Sequence, residues 1–414
     1  MTAEATVRNE TAPDETAPDE TAKRNILVLT AAQALGAASP PIIISLGGIV
    51  GQTLSSTPAL ATLPVSLYNL GLALGTVPAA MVMRRMGRRT GYLIGATIGV
   101  FSGLVATLGI VGAAFVVFCL GTFMAGFYGA YVQSYRFAAA DAATGPLKAK
   151  AISWVMIGGL AAAVIGPQLV IWTRDALPAA PFAGSFLSQA ALALLALPVL
   201  MLLRAPKPAA PAAAAQPGGG RPLAEIMRTP RFILAVAAGV VSYGLMSFVM
   251  TAAPMAMVGC GFTIGEAALG IQWHVLAMFA PSFFTGNLIA RFGKEKITAL
   301  GLVLIAASGA VALSGLDLEH FFVSLILLGV GWNFGFIGAT AMITDCHTPQ
   351  ERGKVQGAND FMVFGTVAAA SFFSGSLLNA SGWAAVNWMI FPIVALVLVP
   401  LLWRAARPRP AGAA

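Results

Sequence analysis

The chain has 414 residues, 58% of them hydrophobic and 10% charged, with 24 Lys and Arg against 16 Asp and Glu for a net charge of +8. Soluble globular domains carry roughly 25% charged residues, so this chain has too little polar surface to cover itself in water. Its apolar residues fall in blocks of about twenty, long enough at ~1.5 Å per residue to cross a ~30 Å hydrocarbon core, and the solvent they imply is lipid.

Residues 1–24 hold the tandem repeat ETAPDETAPDETA, polar, acidic and proline-bearing. That composition matches neither a signal peptide nor a foldable segment and is expected to form a disordered cytoplasmic tail. Apolar runs bounded by charge, glycine or proline then predict helices over 25–51, 59–83, 91–111, 113–136, 151–173, 182–204, 231–257, 267–290, 297–315, 320–344, 354–379 and 383–404. Between the sixth and seventh, APKPAAPAAAAQPGGGRPLAEIMRTP has the composition of a flexible linker. The expected organisation is an N-terminal six-helix bundle at 25–204, a cytoplasmic linker at 205–230, a C-terminal six-helix bundle at 231–404 and a cytoplasmic tail at 405–414.

With the N-terminus placed in the cytoplasm, every Lys and Arg except Arg174 falls on the inner side. The positive-inside rule therefore puts both termini in the cytoplasm of a multi-pass protein of a bacterial-type inner membrane. The basic residues then anchor loops against anionic headgroups, and no nucleic-acid partner is needed to account for them. Cys119, Cys260 and Cys346 lie in three separate segments and imply no disulfide framework. There is no glycine-lysine phosphate loop and no histidine-glutamate metal motif, and the three histidines, His274, His320 and His347, are dispersed. Neither an enzyme, an ATP-driven pump, a metal site nor a cofactor is expected.

The halves share landmarks. Gly87 in MRRMGRRTG stands where Gly293 stands in GNLIARFGKEK, 206 residues later, and the pair Asp141 and Lys150 returns as Asp345 and Lys354, 204 residues later. Two independent pairs at nearly one offset argue for an internal duplication.

Twelve helices, a six-plus-six repeat, a central linker and glycine-basic loops after helices two and eight together resemble the major facilitator superfamily across residues 25 to 404. The second loop keeps Gly286, Leu288, Arg291, Gly293 and Lys294 of that family's signature, and the first keeps Arg85, Gly87, Arg88 and Arg89. The resemblance implies an all-α polytopic fold of two pseudo-symmetric six-helix bundles, secondary transport by a monomer through alternating access, and a conformational role for Gly87, Arg88, Arg89 and Gly293. The signature's acid is replaced by Arg84 and Ala290, which leaves Arg84 to pair with Asp141 or Asp360. Gly158, Gly159, Gly166 and Pro167 resemble the glycine-proline motif of the family's proton-linked exporters, although such residues also let membrane helices kink or approach closely.

Polar groups within a membrane span are default site candidates because lipid penalises them unless they face protein or water. Asp360, beside Asn359 in helix eleven, is the only acid well inside an expected span and is the candidate proton-coupling residue, the bland reading being a helix-start residue paired with an arginine. His274 in IQWHVLAMF is a second candidate proton carrier or ligand donor, against a polar contact between helices, and Trp273 beside it is either a substrate contact or an interfacial anchor. Helix four ends in YGAYVQSYRF, offering Tyr131, Gln133, Tyr135 and Arg136 for stacking and charge pairing with a planar or anionic solute. Trp332 and Asn333 occupy the middle of helix ten, which the resemblance places beside the central cavity with helices one, four and seven. Tyr68, Asn69, Gln33 and Gln168 are lesser candidates.

The expected function is transport of a small neutral or weakly charged organic solute, coupled to protons. Export of a drug-like or metabolic product and import of a vitamin-like aromatic nutrient both remain open. A receptor or scaffold that merely kept the fold would instead leave the interior polar residues dispensable.

Overall fold

The loops that reverse the chain explain much of the architecture, because two of them demand a backbone only glycine adopts without strain. Gly87 (φ +83°) and Gly293 (φ +93°) each separate two helices with no other residue between them. At these angles a Cβ is strained, so the glycines shared by the two halves turn the chain sharply at equivalent points.

The computed structural model describes residues 16–142, 147–204, 220–348 and 350–406. Among the described residues, twelve helical spans follow one another. Span 1 is Thr16–Gly36 continued by Ser39–Leu54, span 2 Leu63–Met86, span 3 Arg88–Val111, span 4 Phe115–Gln133 continued by Tyr135–Ala142, span 5 Leu147–Thr173 and span 6 Ala183–Met201. Span 7 is Pro230–Gly259, span 8 Ile264–Phe279 continued by Ser282–Phe292, span 9 Lys294–Ser314 and span 10 Leu318–Ile343. The helical segment Arg352–Arg404 has 53 residues, far beyond one crossing at ~1.5 Å per residue. It is divided at Gly382 (φ +79°), giving span 11 before that residue and span 12 after it.

Four expectations are corrected in detail. The first span starts by Thr16, so residues 16–24 of the expected tail are helical, while 1–15 lie outside the described residues. Span 8 is not continuous over 267–290: it breaks at Ala280 and Pro281 and bends by 43°, since Pro281 has no N–H to donate and its ring crowds the carbonyl four residues back. The linker's last part is not loose. Residues 205–219 lie outside the described set, but Leu223–Met227 forms a short helix with Ile226 fully buried. Finally, the last helix runs to Ala406, and 407–414 lie outside the described residues.

Small residues set the packing within each half. A Cβ at Gly126 on span 4 would collide with the Tyr68 carbonyl of span 2, and one at Gly301 on span 9 would collide with the backbone at Gly335 on span 10. Close backbone approach of this kind replaces the hydrophobic drive that lipid does not supply. Gly158 and Gly166 serve the same purpose, facing the carbonyls of Thr30 and Ala38 on span 1.

The repeat is visible in the ion pairs as well. Arg88 pairs with Asp141 in the first half, and Lys294 with Asp345 at 2.6 Å in the second. Asp141 is thus taken by Arg88 rather than by Arg84, because Arg88 begins span 3 just past the Gly87 turn, beside the end of span 4.

Candidate functional site

The two halves are stitched together at the end of the bundle away from the basic loops. Thr62 Oγ1 donates to the Phe372 carbonyl at 3.2 Å, Ser376 Oγ to the Ala59 carbonyl at 3.2 Å, and Asn379 Nδ2 to the Pro58 carbonyl at 3.0 Å. Deeper in, Asn69 reaches Ser371, and Gln168 Nε2 on span 5 donates to Gln272 Oε1 on span 8 at 2.9 Å. At the bonded end a second cavity of about 280 Å³ lies between Gln52 of the first half and Met255, Leu378 and Asn379 of the second. Toward the basic end the halves separate around a cavity of about 200 Å³ lined by Arg136 of span 4, Ser153 and Met156 of span 5, Ser282 and Phe283 of span 8 and Ile337 of span 10.

Arg136 is exposed within this opening and lies within electrostatic reach of Asp360 on span 11 and Tyr243 on span 7. Asp360 is itself exposed, and its Oδ1 accepts from Asn359 Nδ2 at 3.1 Å. The two charged residues singled out from the sequence therefore lie within electrostatic reach of each other, one from each half. Gln133 is half-buried one helical turn before Arg136.

Tyr243, which sequence reasoning missed, is the hub of an aromatic group. Its ring meets Trp332 edge-on at 5.3 Å, Phe336 at 5.0 Å and Phe364 at 5.8 Å between centroids. Trp332 stacks on Phe336 at 5.4 Å with planes 17° apart and meets Phe279 at 6.2 Å. Trp332 is 7% exposed, and its indole N–H has no partner among the described residues. The signal for Tyr243 was present: it is the only tyrosine of the second half, on a span the repeat places beside the cavity.

Other candidates lie elsewhere. Tyr131 and Tyr135 are buried inside the first half, Tyr131 against Gly95 of span 3 and Tyr135 edge-on to Tyr92 at 4.7 Å, because span 4 turns that face toward span 3. His274 is fully buried between spans 8 and 10, with Nδ1 2.7 Å from the Leu325 carbonyl, and is not among the residues that line the cavity. Trp273 is half-exposed on the face of span 8 opposite Ile271, His274, Val275 and Met278, so it points out of the bundle as an interfacial side chain does. Asn333 is fully buried and its amide is occupied: Nδ2 donates to the Met278 carbonyl and to Ser282 Oγ, each at 2.7 Å, while Oδ1 accepts from Thr285 Oγ1 at 2.6 Å. It braces the break in span 8 instead of meeting a solute directly. Among the described residues no cluster of His, Cys, Asp or Glu is arranged to hold a metal.

The comparisons with known proteins agree with this architecture. The solved structure of the nucleoside transporter NupG superposes with a TM-score of 0.67 over 93% of this chain and all of its own, at 15% identity, a likeness of fold. The riboflavin transporter RfnT of Brucella anthropi is 70% identical over 95% of this chain and 98% of its own length. An uncharacterized transporter of the same type, YdeG of Bacillus subtilis, is 30% identical over 93% of each chain. The sequence model of the Major Facilitator Superfamily matches residues 26–283 and 237–414, so this chain is a membrane transporter and not an enzyme, and it belongs to the Major Facilitator Superfamily.

Proposed function

We propose that the protein carries riboflavin, or a flavin close to it, into the cell. The observation that carries this reading is the 70% identity to a riboflavin transporter over nearly the full length of both chains. The surroundings of the cavity support it chemically, since Tyr243 lies within electrostatic reach of Arg136. A flavin is a neutral planar tricycle with carbonyls along one edge and a polyol chain, and the group formed by Tyr243, Trp332, Phe336, Phe364 and Phe279 offers aromatic faces beside donors such as Arg136. Each aromatic contact contributes about 0.5–1.5 kcal/mol beyond its buried area. Between the vitamin and drug-export readings this favours the vitamin, since Gly158 and Gly166 are accounted for by packing against span 1.

In this reading the basic end is cytoplasmic, both termini lie on that side, and the protein works as a monomer in a bacterial inner membrane. Proton coupling runs through Asp360, whose carboxylate lies within electrostatic reach of Arg136, so that protonation releases Arg136 to the solute or to water. His274 has no part in it.

The test is growth and uptake in a riboflavin-auxotrophic strain lacking its own flavin carrier. Expression of this chain should restore growth on low riboflavin and saturable uptake of labelled vitamin; no uptake from a correctly inserted protein contradicts the reading.

A further inference from the structure

The break in span 8 opens into the cavity, and its first free side chain is Ser282. That serine sits between Asn333 and the cavity. Behind it, Asn333 Nδ2 donates to Ser282 Oγ at 2.7 Å. In front of it lies the cavity, which it lines together with Arg136.

Asn333 fixes this arrangement from both sides of the break. Its second N–H holds the Met278 carbonyl at the end of the outer piece, and its carbonyl takes the Thr285 hydroxyl in the first turn of the inner piece. An interior carboxamide with every group used this way is rigid, and a rigid neighbour fixes the rotamer of the side chain it touches. Because Ser282 Oγ already accepts from Asn333, its hydroxyl hydrogen must point elsewhere. Serines in helices commonly return that hydrogen to a carbonyl three or four residues back, as Ser66 does to Thr62 at 3.0 Å. No such bond from Ser282 is present among the described residues.

We propose that Ser282 is a substrate-contacting residue and Asn333 its positioning residue. The Ser282 hydroxyl and the Arg136 guanidinium form a pair of donors, one from each half of the protein, that reads an acceptor-rich edge such as the ring carbonyls of a flavin. This rests on the flavin reading above. An analogue without acceptors on that edge leaves two cavity donors unpaired and is rejected for that reason. The pair also ties recognition to movement, since a solute held by Ser282 and Arg136 bridges the halves that must rock about it.

The experiment measures riboflavin uptake by the native chain and by Ser282→Ala, Ser282→Thr and Ser282→Cys in proteoliposomes, with riboflavin fluorescence quenching giving binding in detergent. Loss of one neutral hydrogen bond predicts that Ser282→Ala raises KM and Kd roughly 3- to 10-fold with Vmax within about twofold of native. Ser282→Thr, which keeps the hydroxyl, should stay within about twofold of native, and Ser282→Cys, similar in volume but a weak donor, should follow the alanine variant. Should Ser282→Ala prove unstable, the Thr against Cys comparison decides alone. Native transport with Kd unchanged in the Ala and Cys variants overturns this inference and leaves the flavin reading standing. A native chain that neither binds nor moves riboflavin overturns both.

Discussion

Asn69 on span 2 donates from Nδ2 to the Oγ of Ser371 on span 11 at 2.8 Å, joining the two halves through one fully buried serine. The same Ser371 oxygen lies 2.7 Å from Ser247 Oγ and 3.3 Å from Thr251 Oγ1, both on span 7. Ser247 and Thr251 thus hold Ser371 from within the second half, and the Asn69–Ser371 bond that crosses the halves must part before the end away from the basic loops can open.

Asn69→Ala removes this cross-half bond, at a cost of about 1 kcal/mol, or about a fivefold shift toward the state open at that end. With Ser247→Cys introduced into a background lacking Cys119, Cys260 and Cys346, labelling by a membrane-impermeant maleimide from outside should accelerate by about that factor when Asn69→Ala is added. An unchanged rate would mean the halves are held there by the neighbouring backbone contacts alone.

The linker is clamped to the second half through Glu351, whose side chain is 1% exposed. Arg221 donates to it from Nε and Nη2, both at 3.0 Å, and from its own backbone N–H at 2.7 Å, while Thr348 adds a backbone N–H at 2.9 Å. The Arg221 hydrogen bonds, foremost, hold the Glu351 carboxyl well below the usual carboxylate range. A depressed carboxylate stabilises the fold above its unfolded value and loses that contribution as pH falls through the folded value. The clamp should therefore add the same stability throughout neutral pH and weaken only in acid below the ordinary glutamate range of about 4. Glu351→Gln should lower the melting temperature in detergent at neutral pH, with the gap to native closing as the pH is taken down; a gap independent of pH would contradict this.

Gly293→Ala places a Cβ at φ +93° and should cost about 1–2 kcal/mol of stability, with Gly87→Ala at φ +83° behaving alike. Nothing lies within 4 Å of a Cβ at Gly87, so the cost there is purely conformational. Asparagine, whose tolerance of positive φ is confined to the left-handed helical region, should not recover the loss in thermal melts, because ψ is +158° at Gly87 and +153° at Gly293.

Cys260 is exposed at the end away from the basic loops, whereas Cys119 and Cys346 are buried. An impermeant thiol reagent applied to intact spheroplasts should label the native chain at Cys260 alone. Labelling only after the membrane is opened would reverse the proposed orientation.

The helices were legible because lipid permits little else: an apolar run of about twenty residues must satisfy its backbone internally. The turns at Gly87 and Gly293 and the duplication were legible from residues that recur at a fixed offset. The break at Pro281 was not, because a proline in a membrane helix kinks it only as far as its neighbours supply partners, and the partner here, Asn333, comes from a different span. The same distance in sequence hid Asn333's role. Its polarity marks it as unusual within a span, but its hydrogen bonds go to span 8 and not to the cavity. Tyr131 and Tyr135 misled for the converse reason, since helical periodicity says which residues share a face but not whether that face meets a cavity or another helix. Arg136, which lines the cavity, and Asp360, within its electrostatic reach, were conspicuous in the sequence because few charges exist in the spans.

The most direct test of the central claim is flux in proteoliposomes containing the purified chain, labelled riboflavin outside and a pH dye inside. Saturable riboflavin entry accompanied by internal acidification, with the acidification lost in Asp360→Asn, is the predicted result. Liposomes that take up no more riboflavin than protein-free controls would contradict it.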